Sequence, residues 1–246
     1  MEVIAVIAQK GGTGKTATVA AMAQAATHFS NKKVLLIDLD AQGNLSLIAG
    51  ADTSKGSTLE LLEGAEPAEL IQHINDNMDI IAASWNLATV TTAPGSINRL
   101  KKALEPIKNS YDLVIIDTPP LASELQFNAL MAADSAIIPI EADIYGLQCL
   151  FQLADTIEAI KEANKKLIVK GYLFTRYDSR SILTRTISQN IHEEAEKLGF
   201  SFIGSVRPGI ALKEAQATGQ NLFEYAPRSN PAKDYRAIYE LIIDKK

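Results

Sequence analysis

One cysteine, Cys149, is all that the chain carries. No internal disulfide can form, and no metal or iron–sulfur site built on paired cysteines fits within one chain. No apolar run approaches the ~18 residues that a membrane span needs. The first residues, Met1-Glu2-Val3-Ile4, lack the basic start of a secretory leader and pass directly into a strand-like run. The expected place is therefore the cytoplasm. Excess positive charge is missing as well. The net charge of −5 argues against a uniformly basic nucleic-acid binder, though it leaves room for a local basic face. The three histidines, His28, His73 and His192, share no ligand spacing and read as surface or helix residues. The single tryptophan, Trp85, follows a strand-like run and suits either a core or a contact between subunits.

What is present is a regular alternation. The 246 residues, 47% of them hydrophobic, suit one large α/β domain spanning the chain. Strand-like runs at 3–8, 34–37, 78–83, 111–116, 135–140, 167–174 and 201–206 alternate with helical patterns. The helices expected are 17–30, 97–109, 125–133, 145–164, 180–198 and 230–244, with shorter helical pieces at 45–50, 58–64 and 67–75 and a loop or broken helix at 84–95. Several strand runs are continuously apolar, as in strands buried on both faces of a parallel sheet. The fold class expected is a doubly wound, mostly parallel β-sheet flanked by helices.

The chemistry concentrates at three strand ends. After the first strand comes Gln9-Lys10-Gly11-Gly12-Thr13-Gly14-Lys15-Thr16, then the helix opened by Ala17. Strand, glycine-rich turn, helix is the setting of a phosphate-binding loop, in which backbone N–H groups and a helix N-terminus cradle phosphate oxygens. Lys15 would reach the β- and γ-phosphates, and the Thr16 hydroxyl would ligate Mg²⁺. The second strand ends in Asp38-Leu39-Asp40, which alternation places on one side, past the C-terminal edge where ligands bind in open α/β sheets. The strand 111–116 ends in Asp117, followed by Thr118-Pro119-Pro120. Asp117 there is either a Mg²⁺ ligand through water or the cap of the next helix, and the preceding phosphate loop favours the ligand.

Lys10 marks a departure from the plain phosphate loop, because a second lysine stands five residues before Lys15. This Lys-Gly-Gly-x-Gly-Lys-Thr loop resembles the deviant Walker A loop of the ParA family of DNA-partitioning ATPases, within the ParA/MinD superfamily. Leu35–Asn44 and Val114–Pro120 carry the likeness further. So do Tyr177-Asp178-Ser179-Arg180-Ser181, Leu212-Lys213-Glu214-Ala215 and Glu224-Tyr225-Ala226-Pro227-Arg228-Ser229. The chain departs from the family's pattern at Thr13 (usually Val), Ala41 (usually Pro), Arg207-Pro208 (commonly Pro-Arg) and Ala211 (often Arg).

The resemblance implies ATP and Mg²⁺ as cofactors, with Thr16, Asp38 and Asp117 on the metal side. Lys10, Gly11, Gly12, Thr13, Gly14, Lys15, Thr16 and Ala17 would hold the nucleotide, with Arg207 and Pro208 near the base. It implies catalysis by Lys15, by Asp40 orienting the attacking water, and by Lys10 reaching the nucleotide of a second copy, hence an ATP-dependent homodimer. It also implies a ParB-like centromere-binding partner and non-specific, nucleoid-associated DNA binding. Arg180, Arg185, Lys213 and Arg236 are the candidate contacts, in a chain without an operator-reading helix-turn-helix before the loop and without a membrane partner. Three related functions compete. A MinD-like membrane-cycling ATPase needs an amphipathic C-terminal helix. An iron–sulfur relative needs bridging cysteines. A tyrosine kinase of the same superfamily needs a C-terminal tyrosine cluster.

Overall fold

The computed structural model describes residues 1–90 and 95–243. The ends of two expected segments, the loop 84–95 and the helix 230–244, reach into positions 91–94 and 244, outside the described residues. In chain order the elements are β1 (Glu2–Val6), α1 (Lys15–Ser30), β2 (Val34–Asp38), α2 (Asn44–Ile48), α3 (Thr58–Glu63), α4 (Pro67–Leu70), β3 (Gln72–Asn75) and β4 (Met78–Ile81). There follow α5 (Arg99–Leu104), β5 (Leu113–Asp117), α6 (Glu124–Ala132), β6 (Ser135–Glu141), α7 (Gly146–Ala163), β7 (Ile168–Thr175), α8 (Ile182–Lys197), β8 (Phe202–Ser205), α9 (Ile210–Ala217), α10 (Leu222–Tyr225) and α11 (Asn230–Ile242).

Among the described residues the strands form one sheet in the order β3-β4-β2-β5-β1-β6-β7-β8. Every neighbouring pair is parallel except β3–β4. The doubly wound, mostly parallel fold is as expected. Strand period two divides each strand between the faces. Val3 and Ala5 pack with α5, α6 and α7 on one face, while Ile4 and Val6 pack with α1 and α11 on the other. Leu35 and Ile37 against Val34 and Leu36 repeat the division in β2. The chain leaves β1 through α1 to β2 on one side, and leaves β5 through α6 to β6 on the other. Crossovers of one hand that run in opposite directions must cover opposite faces. A crevice therefore opens at the C-terminal end of β1, where the glycine-rich loop lies.

Alanine lets α1 approach the sheet closely: Ala20, Ala21, Ala23, Ala25 and Ala26 are all buried. Asn31 ends that helix in the left-handed conformation (φ 48°). Two expectations fail. The segment read as helical over 67–75 ends its helix at Leu70, and Gln72–Asn75 pairs antiparallel with β4. A two-residue hairpin, Asp76-Asn77, makes this pairing possible, and His73 Nδ1 against Asp79 Oδ1 at 2.8 Å fastens it. The helix read over 97–109 is split, with 3₁₀ turns at Ser96–Asn98 and Glu105–Ile107 flanking α5. Pro106 lacks the N–H that would continue it. No helix among the described residues is long and apolar enough to cross a membrane.

Candidate functional site

The loop between β1 and α1 turns through two left-handed glycines, Gly12 (φ 80°) and Gly14 (φ 82°). A side chain at Gly14 would be strained by its backbone and would sit 3.1 Å from the Thr175 methyl. The Thr175 hydroxyl at the end of β7 donates to the Thr13 carbonyl at 2.9 Å, tying the loop to the sheet edge. Thr18 donates to the Gly14 carbonyl at 2.8 Å and meets the buried Tyr235 hydroxyl at 3.2 Å. The first N–H groups of α1, which lack helical partners, thus open onto the loop's hollow.

Lys15 is the first residue of α1 and is buried. Loss of water lowers its pKa, while the charges of Asp117 and Asp40 oppose that shift. The Thr16 hydroxyl donates to Asp117 Oδ2 at 2.6 Å. Asp117 is wholly buried, and its other oxygen, Oδ1, has no hydrogen-bond partner. Burial pushes this carboxyl up to about 8, helped by the negative Asp38 and opposed by Thr16 and Lys15. Asp38 stands beside it because β2 and β5 pair in register there. Asp38 Oδ2 accepts from the Ser46 N–H and hydroxyl, both at 2.8 Å, and Oδ1 from the Asp40 N–H at 3.1 Å. Burial pushes Asp38 up to about 6 against those hydrogen bonds.

These groups fit Mg²⁺. An unpaired buried carboxylate oxygen beside a hydroxyl suits an ion that prefers oxygen and takes few protein ligands alongside water and phosphate. No cluster of three or more His, Cys, Asp or Glu among the described residues could hold a metal by itself. Asp38, with both oxygens engaged by the protein, is poorer in free lone pairs than Asp117. Asp40 is half-buried, accepts from the Gln42 N–H at 3.0 Å, and lines a hollow of about 590 Å³ above the loop with Lys15, Thr16 and Ala17.

Lys10, at the rim, folds onto its own chain. Its Nζ lies 2.5 Å from Asp143 Oδ2 and 3.5 Å from Glu141 Oε2, beneath the Tyr145 ring. The Asp143 carboxylate raises the Lys10 pKa. Glu141 also takes Arg176 at 2.8 Å, and Arg176 is a non-glycine residue in the left-handed region (φ 50°). Around Lys10 the chain exposes Leu121, Ile144 and Tyr145.

A second hollow, of about 480 Å³, continues from the first past Ala17, walled by Val206, Arg207, Pro208 and Leu212. Arg207 and Pro208 therefore share a hollow with Gly14 and Ala17 of the loop and helix start. The Arg207 guanidinium, however, is held bidentately by Asp234 at 2.9 and 2.6 Å, so its charge is already engaged within the chain. The four candidate DNA contacts do not converge. Arg180, paired with Asp178 at 2.8 Å, and Arg185, donating to the Ser179 and Arg180 carbonyls, share the start of α8. Lys213 lines the second hollow. Arg236 lies on the other helical layer, over the Phe29 ring and against Glu240.

Ser46, Thr175, Arg176 and Gln216 also serve the site, and of these the sequence pattern leaves Ser46 and Gln216 unmarked. They reach it from three places, α2, the end of β7 and α9.

A phosphate loop at the switch point of a doubly wound sheet, with its threonine bonded to a strand-end aspartate, defines a P-loop NTPase. Comparison with known proteins narrows this. The family described as an AAA domain (AAA_31) matches residues 1–169. The chromosome-partitioning ATPase Soj of Thermus thermophilus is 35% identical, covering 98% of this chain and 94% of its own. The chromosome partitioning protein ParA of Myxococcus xanthus is 31% identical, over 96% and 86%. The solved Cyanothece McdA(D38A)–ATP complex superposes with a TM-score of 0.89 at 24% identity, over 100% and 97%, which speaks to the fold. The chain belongs to the ParA family of partitioning ATPases.

Proposed function

We propose that this ATPase binds ATP with Mg²⁺ in the paired hollows, dimerises on ATP, binds DNA without sequence preference, and hydrolyses ATP when a ParB-like centromere-binding partner stimulates it. The observation that carries the nucleotide part is the Thr16–Asp117 bond with the second, buried Asp117 oxygen left unpaired. Thr16 and Asp117 would hold Mg²⁺, which when bound would neutralise charge on the β- and γ-phosphates. Lys15 and the loop N–H groups bind and orient the same phosphates. Asp40 holds the attacking water in line, its backbone fixed by Asp38. Asp38 acts by keeping α2 and the Asp40 segment in place through Ser46.

Lys10 supports the dimer reading. It stands at the rim with exposed Leu121, Ile144 and Tyr145, an apolar margin that a second copy would cover. DNA contact is assigned first to Arg180 and Arg185, which stand close together, with Lys213 and Arg236 as secondary candidates. Such phosphate-directed binding weakens steeply with salt. We place the protein on the nucleoid within the cytoplasm. The apolar side of α11, with Tyr235, Ile238, Tyr239 and Ile242, is spent on the core, which weighs against a MinD-like membrane helix.

The test is ATP hydrolysis with and without non-specific DNA across a salt series, with molar mass measured by light scattering for wild type and Asp40→Ala. Asp40→Ala should keep ATP-dependent dimers and lose most hydrolysis. ATP-dependent liposome binding without DNA binding would replace this reading with the membrane-cycling one.

A further inference from the structure

The phosphate hollow and the second hollow share four residues: Gly14, Ala17, Arg176 and Gln216. These form the waist between the two. Any nucleoside triphosphate with its phosphates on the loop and its base in the second hollow must place its ribose at this waist. Gln216 reaches the waist from the last turn of α9, opposite the start of α1. Its amide nitrogen, Nε2, is buried and has no acceptor among the described residues. An unpaired buried donor is costly, and proteins rarely keep one without use.

We propose that Gln216 recognises the ribose of the bound nucleotide, its side-chain amide pairing with a ribose hydroxyl. The proposal rests on the nucleotide reading given above. Three features favour ribose over the other parts of the ligand. The phosphate end already has Lys15 and the loop N–H groups, and a neutral amide adds little charge neutralisation there. The base end has Val206, Pro208, Ile210 and Leu212, which recognise a ring by contact, and already carries Lys213 as a polar group. A ribose hydroxyl both donates and accepts, so it answers either atom of the amide, whichever way the amide is turned.

Direct binding of ADP, 2′-deoxyADP and 3′-deoxyADP by calorimetry tests this, with ADP chosen to keep dimerisation out of the measurement. Wild type should bind ADP about tenfold more tightly than at least one deoxy analogue, the loss expected for one buried hydrogen bond. Gln216→Ala should weaken ADP by about the same factor and leave that analogue within about twofold, because the contact is already missing. Wild type binding all three equally would overturn the proposal and leave the nucleotide reading intact. So would a Gln216→Ala chain in which all three weaken equally, which would point to the α-phosphate instead. Wild type binding none of the three would remove the nucleotide reading and this proposal with it. The wild-type series needs no variant, so the test survives a Gln216→Ala chain that fails to fold.

Discussion

The two ends of the phosphate loop carry the same side chain in opposite surroundings. Lys15 is buried at the start of α1, and loss of water lowers its pKa. Lys10, five residues earlier, keeps about a third of its side-chain surface in solvent, and Asp143 raises its pKa. The inner end is held by a network buried under the sheet edge: Thr16 on Asp117, Asp38 on Ser46, Thr175 on Thr13. The rim end is held by half-buried ion pairs, which water reaches and partly screens. The inner end is therefore the more firmly fixed of the two, and the rim end the more open to water.

That contrast can be broken most sharply at Lys15. Lys15→Ala should lower ATP turnover at least about a hundredfold, since it removes a charge aimed at the reacting phosphate from a desolvated site. A steady-state phosphate-release assay with turnover near wild type would show that the inner lysine is dispensable.

Lys10→Ala should act differently. ADP affinity should stay within about threefold of wild type, while ATP-dependent dimers and hydrolysis are lost. Light scattering and calorimetry on the same sample separate the two effects. Dimers that form normally in this variant would place Lys10 outside the interface.

Stability should follow the same division. Ser46→Ala removes a donor to buried Asp38 and leaves the Ala83 N–H without the acceptor it meets at 2.9 Å. A loss of about 2 kcal/mol is expected in urea unfolding. Lys10→Ala should cost less than about 1 kcal/mol in the same assay. Equal losses would mean that the rim is as firmly built as the inner end.

The smallest effect is the pH dependence of the rim. The folded Lys10 pKa lies above its ordinary 10.5, so the ammonium is favoured in the native state. Its contribution is fully present below pH 10.5 and is lost as pH rises through the higher folded value. The small Tm gap between wild type and Lys10→Ala should therefore be constant from pH 7 to 9 and shrink above about pH 10.5. A gap that widens with alkaline pH would mean that Asp143 does not hold the ammonium.

Most of this site was legible because its parts are local. The glycines, Lys15 and Thr16 sit within one turn, and a helix start needs only neighbouring residues to present its N–H groups. Asp38 and Asp117 could be read from continuous apolar strands that end in a charge. Edge strand β3 was missed because Glu69, Leu70, Ile71 and Ile74 keep a helix-like spacing, and its pairing depends on a turn and on Asp79 in the next strand. The Asp76-Asn77 pair between two short runs was the signal available. For the basic residues, composition showed only abundance. Which of them are engaged, as Arg207 is by Asp234, depends on carboxylates elsewhere in the chain.

By itself the sequence determined the doubly wound sheet, the phosphate loop and the two strand-end aspartates. Each of these follows from short-range periodicity or from residues within a turn of one another. Only the tertiary structure decided what those residues touch. It placed Asp38 beside Asp117 through the β2–β5 register, turned Lys10 onto Asp143, and brought Gln216 on α9 opposite Ala17 on α1. Strand order and helix packing bring such partners together across long stretches of chain, and no local pattern records an encounter of that kind.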